Sequence, residues 1–112
     1  MTFEQVVAMA LTLPGVVATT KYDGSPVLKA GGVFLAGMAG HPSAEPDTLV
    51  VRHQIEDRDL IIEDAPETYY LTDYYRPYPL VLARLKELSP DALRDLLNVS
   101  HRMAMEKTRK RR

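Results

Sequence analysis

The chain has no cysteine and no tryptophan, and only two phenylalanines. Without cysteine there is no disulfide framework, no thiolate-bound zinc or iron-sulfur cluster and no thiol nucleophile. Methionine oxidation is the only redox chemistry left to the side chains. Long apolar runs are missing too, for no stretch approaches the ~20 residues of a membrane-spanning helix. The first residues, Met1-Thr2-Phe3-Glu4-Gln5, carry no basic segment ahead of an apolar one. A cytoplasmic protein without membrane association is the expectation.

What is present fits one domain. A length of 112 residues suffices for a real core but not for two. With 46% apolar and 26% charged residues, the composition is that of an ordinary globular fold, and a monomer is expected. The net charge of −1 conceals an asymmetry, because Lys107, Arg109, Lys110, Arg111 and Arg112 place five cations in the last six residues. Of fourteen Lys and Arg against fifteen Asp and Glu, removing those five leaves nine against fifteen, a body of −6. The division is therefore a domain over residues 1–106 and a basic tail over 107–112. Such a body repels phosphate, so affinity for nucleic acid has to come from the tail or from a local patch.

Thr2 followed by Gln5 is a capping box and predicts a helix, on which Phe3, Val6, Val7, Ala10 and Leu11 recur at helical spacing until Leu13-Pro14-Gly15 stops it. Two turn signals, Asp23-Gly24-Ser25-Pro26 and Ala30-Gly31-Gly32, then separate β-rich runs. They predict a three-stranded meander near residues 17–22, 26–30 and 33–39. Residues 40–47 hold too many breakers for regular structure, and 48–53 reads as a fourth strand. Residues 55–65 suit a short helix, although Leu60-Ile61-Ile62 alone fits a strand equally well. Two β-like runs, 67–72 and 79–85, flank a connection in which Pro77 and Pro79 deny backbone donors. Ser89-Pro90 opens a last helix with Leu93, Leu96, Leu97, Ser100, Met103 and Ala104 on one face, ending near Met105. The order predicts an α+β fold, a single compact domain with helices on a largely antiparallel sheet.

Five of the six tyrosines lie between Tyr69 and Tyr78. Tyr74 and Tyr75 beside Arg76 are what a single-stranded nucleic-acid platform uses, since bases stack on rings for about 1–3 kcal/mol each. The plainer reading is packing, with Tyr69 and Leu71 alternating with Tyr70 and Thr72 to turn one face inward. The tail offers a sequence-independent grip, its five cations giving a duplex-binding salt slope of roughly −4.5. Its plainer reading is a solvated helix end that favours the negative pole of the dipole.

No catalytic residues emerge. His41, His53 and His101 are scattered without metal-ligand spacing, and His53 reads as a partly exposed strand end. Glu56, Asp57, Asp59, Glu63 and Asp64 sit where a solvent-facing helix needs charge, and no serine has a partnered base. The glycines form no phosphate-cradling loop ahead of a helix. No metal, cofactor or enzymatic activity is expected. A protein or small ligand, held by the tyrosine-rich connection and the acidic body, is the alternative partner to DNA.

Several stretches together resemble the MmcQ/YjbR family of small bacterial proteins, across nearly the whole chain. They are Leu13-Pro14-Gly15-Val16, then Pro26-Val27-Leu28-Lys29 followed by Gly32-Val33-Phe34-Leu35-Ala36, then Pro66-Glu67-Thr68-Tyr69-Tyr70-Leu71-Thr72-Asp73. The most specific is Tyr75-Arg76-Pro77-Tyr78-Pro79-Leu80-Val81-Leu82-Ala83-Arg84-Leu85. The resemblance implies a double-wing α+β domain that binds DNA and brings no established catalysis. Where the family often carries a His-Tyr pair this chain has Tyr74-Tyr75, so a histidine's role there does not carry over. The site implied for DNA is then Tyr74, Tyr75, Arg76 and the cations Lys107, Arg109, Lys110, Arg111 and Arg112.

Overall fold

Thr2 opens the first helix, α1 (Phe3–Ala10), as the capping pattern predicts. The Gln5 amide donates to Thr2 Oγ1 at 3.2 Å, and Thr2 N–H donates back to Gln5 Oε1 at 2.9 Å. Two donors that a helix start leaves orphaned are thereby satisfied. The computed structural model describes residues 1–110.

Three strands follow, β1 (Val16–Thr20), β2 (Pro26–Ala30) and β3 (Val33–Met38). Between β2 and β3 the loop is only Gly31-Gly32, with φ of +57° and +77°. Left-handed dihedrals at both positions define the tight hairpin turn whose twist matches the strands. Then come β4 (Thr48–Arg52), α2 (Ile55–Asp64), β5 (Tyr69–Tyr70), β6 (Leu80–Arg84), a 3-10 turn at Leu85–Glu87 and α3 (Pro90–Lys110). Every strand pairs antiparallel, in the order β1-β2-β3-β4-β6-β5. The α+β class, the antiparallel sheet and the three helices are as the sequence predicts.

The boundaries differ in instructive ways. Residues 67–72 contribute only the two-residue β5, because the Thr72 carbonyl accepts from both Tyr75 N–H and Arg76 N–H and winds the chain into a turn. The Leu60-Ile61-Ile62 segment resolves as helix. The last helix continues past Met105 to Lys110, since cations suit the negative end of the dipole and Thr108 Oγ1 donates to the Ala104 carbonyl at 2.9 Å. That extension reaches the β2–β3 turn, where a Cβ on Gly31 would lie 2.5 Å from Thr108 Oγ1.

Alternation along the strands separates two faces. One packs Leu28, Leu49, Val51, Val81 and Ala83 against Val6 of α1 and Leu93, Leu96 and Leu97 of α3. Most of the stabilising apolar burial is there. The other face carries a smaller cluster of Val50, Leu82 and Tyr75, with Phe34, Tyr70 and Leu80 packed against it. Loops cover this second face over β4 and β6, while Val17 on β1 is left 54% exposed. Among the described residues no helix is long and apolar enough to cross a membrane.

Candidate functional site

The tyrosine-rich connection is pinned from beneath by a residue that sequence reasoning passed over. Arg58, in the acidic helix α2, is 4% exposed. Its Nη1 donates to the carbonyls of Tyr78 at 2.6 Å and Leu80 at 3.1 Å, and its Nη2 donates to that of Arg76. A guanidinium fork can serve several carbonyls at once, so one side chain holds the turn over residues 76–80. Surrounded in sequence by acids, it carried no signal that it turned inward.

On this frame the rings divide. Tyr75 is buried at 7% exposure, and its Oη accepts from the His41 amide at 3.2 Å. Its ring is thus taken off any surface a base could reach, contrary to the stacking role expected for it. Tyr74 and Tyr78 stay half exposed, at 50% and 51%. Tyr74 stacks on the His41 imidazole with centroids 3.5 Å apart and planes 11° from parallel, and it meets Tyr75 edge-on at 5.0 Å. His41 is held in turn by Ser43, whose amide donates to Nδ1 at 3.1 Å and whose hydroxyl bonds to Thr72 at 2.9 Å. The polar loop and the connection therefore form one laced wall. Arg76 extends outward, with only a 3.9 Å approach to Asp73.

Tyr70 points to the same side. Its Oη accepts from Glu45 N–H at 2.8 Å and is hydrogen-bonded to the Thr48 hydroxyl at 2.6 Å, while the Arg84 guanidinium lies 4.3 Å over its ring. Arg84 also binds Glu45 through two nitrogens, at 3.0 and 2.7 Å. That fork holds the Glu45 carboxyl below its usual range.

Beside the wall the second face continues over β1–β3, where Val27 is buried and Val17 exposed. Cross-strand register sets Lys29 opposite Phe34 and Arg52 opposite Leu80, and Arg52 Nε donates to the Phe34 carbonyl at 2.6 Å. Phe34 and Leu80 share the second-face cluster, so Lys29, Phe34 and Arg52 lie in a row across three strands. All three are half-buried. The end of α3, with Lys107, Arg109 and Lys110 exposed, arrives at the β2–β3 turn two residues beyond Lys29. Arg111 and Arg112 lie outside the described residues. Alternation within Pro26–Ala30 and Thr48–Arg52 was the signal that would have found Lys29 and Arg52.

A second concavity lies on the helix side, between α2 and α3. A cleft of about 270 Å³ is bounded by Ile61, Asp64, Asp95, Leu96, His53 and Tyr69. His53, expected as a partly exposed strand end, is only 5% exposed, because its amide is bonded to the Pro79 carbonyl and the two helices close over it. Burial, reinforced by the Asp95 carboxylate, pushes the Tyr69 phenol above its ordinary range. The described residues contain no cluster of three or more His, Asp or Glu able to hold a metal ion. No protein-family model, no curated protein and no solved structure matches the chain.

Proposed function

We propose that this chain is a non-enzymatic binding protein of the MmcQ/YjbR type that holds single-stranded nucleic acid on the uncovered half of its sheet. The observation that carries the reading is the row Lys29, Phe34 and Arg52, flanked by a wall bearing the half-exposed Tyr74 and Tyr78 rings. An open strand surface with an aromatic between cations matches the way sheet-based readers stack unpaired bases and neutralise their phosphates. Arg76 and the cations on the last turn of α3 extend the positive surface at its two ends. The acidic groups of α2 lie on the helix layer, on the other side of the sheet. Charge of the whole body is therefore a poor guide to this surface.

Titration of labelled single-stranded and duplex oligonucleotides at two salt concentrations tests the proposal. Single strands should bind more tightly, with affinity falling as salt rises. Tyr74→Ala should weaken binding by about 1–3 kcal/mol, the worth of one stacked base. A chain ending at Glu106 should bind with a shallower salt dependence, by up to about 3.5 in log-log slope for a single strand. No salt-sensitive binding by the intact chain at low salt defeats the reading.

A further inference from the structure

The cleft between α2 and α3 is built from positions the nucleic-acid surface does not use. On α3, Ala92, Asp95, Leu96 and Val99 recur at three- and four-residue spacing and so share a face. Ile61 and Asp64 face them from α2. Apolar walls thus carry one carboxylate on each side of the mouth. Among the described residues neither Asp64 nor Asp95 is in an ion pair.

At the floor are two polar side chains more than nine-tenths buried. His53 is 5% exposed and Tyr69 is 8% exposed. His53 bonds through Nδ1 to the Gln54 carbonyl at 3.2 Å, which leaves Nε2 without a protein partner among the described residues. Tyr69 Oη has none either, yet no sealed polar side-chain atom goes unsatisfied among those residues. Neither atom is therefore sealed, and the cleft that both side chains line is the space on which they open. A donor or acceptor turned inward with nothing to meet costs about 1–3 kcal/mol unless water or a ligand supplies the partner.

We infer that this cleft is a binding site for a compact organic ammonium compound with a short apolar body. The carboxylates at the mouth attract the cation and repel anions. Ile61, Leu96 and Val99 receive the body, and the Tyr69 hydroxyl and His53 Nε2 meet a polar group at the inner end. A volume of about 270 Å³ lies just below the range of drug-sized sites, so the ligand is of metabolite size. Among the described residues no three ligating side chains converge closely enough to hold a metal ion, so the opposed carboxylates suit an organic cation better.

The test uses the full chain and three probes of one shape, each with a phenol hydroxyl at the end away from the varied group: tyramine, tyrosol and 3-(4-hydroxyphenyl)propionate, each titrated while amide and imidazole resonances are followed by NMR. Saturable shifts at His53, Asp95 and Tyr69 with the amine, weaker with the alcohol and absent with the carboxylate, are expected. Asp64→Asn and Asp95→Asn, at exposed rim positions that the fold does not need, should each weaken the amine roughly tenfold. Tyr69→Phe should weaken it less and leave the resonances of the nucleic-acid face unmoved. Equal binding of amine and carboxylate, insensitivity to both aspartate substitutions, or no saturable shift with the amine overturns the inference.

Discussion

Single side chains decide how the tyrosine-rich connection is held. Arg58 satisfies three carbonyls of a proline-containing turn that few backbone amides can reach. Arg58→Met keeps the apolar stem but leaves the Arg76 and Leu80 carbonyls without this donor, while that of Tyr78 still accepts from Leu80 N–H, and each unsatisfied buried group costs about 1–3 kcal/mol. We expect a loss of at least ~2 kcal/mol, read as a lower urea midpoint with little change in slope. Tyr69 makes a different kind of contribution. Its phenol is raised by burial and by Asp95, so the unfolded chain gives up its proton first as pH climbs. Stability from this group is intact below the unfolded value of about 10 and drains away as pH rises through the higher folded value. In Tyr69→Phe this part of the alkaline decline should vanish, which urea midpoints at about pH 9 and about pH 11 would reveal.

At the scale of elements, helix ends separate what local chemistry dictates from what packing dictates. The capping box of α1 follows from Thr2 and Gln5 alone. Helix α2 begins at Gln54, whose extended backbone suits a cap but whose side chain makes no cap bond. Gln54→Asp should therefore stabilise the protein by about 0.5–1 kcal/mol, seen as a rise in thermal midpoint. The same contrast governs what was legible in the sequence. Turn glycines, the proline stops and the apolar periodicity of α1 and α3 are local, and they predicted the element order. The floor of the cleft was not legible, since His53 and Tyr69 become neighbours only when β4, β5 and α3 assemble. Arg58 looked like one more charge on a solvated helix, and only the distant carbonyls of residues 76, 78 and 80 draw it inward. Tyr75 went astray for the opposite reason, because its neighbours Tyr74 and Arg76 do reach the surface while the turn from Thr72 rotates it under them.

For the molecule as a whole, the sheet acts as a partition. The acids of α2 and the cleft carboxylates lie on the helix side, while Lys29, Phe34, Arg52 and the tyrosine wall lie on the other, so a net charge near zero hides two surfaces of different preference. The proposed nucleic-acid face and the ammonium cleft stand on opposite sides of that partition, and their experiments can fail separately.

The strand order also has a bearing on assembly in time. Strands β1 to β4 join neighbours in sequence and can zip from short loops, whereas β6 sits between β4 and β5, with β5 made before it. Threading β6 into an existing gap would require a long loop to close before any ladder bond could form. Closing β5 on β6 first requires only the nine-residue connection 71–79 to bend. The hairpin can then dock on β4 as a unit. The segment that concentrates the aromatic surface is in this sense a hinge of folding before it is a surface for anything else.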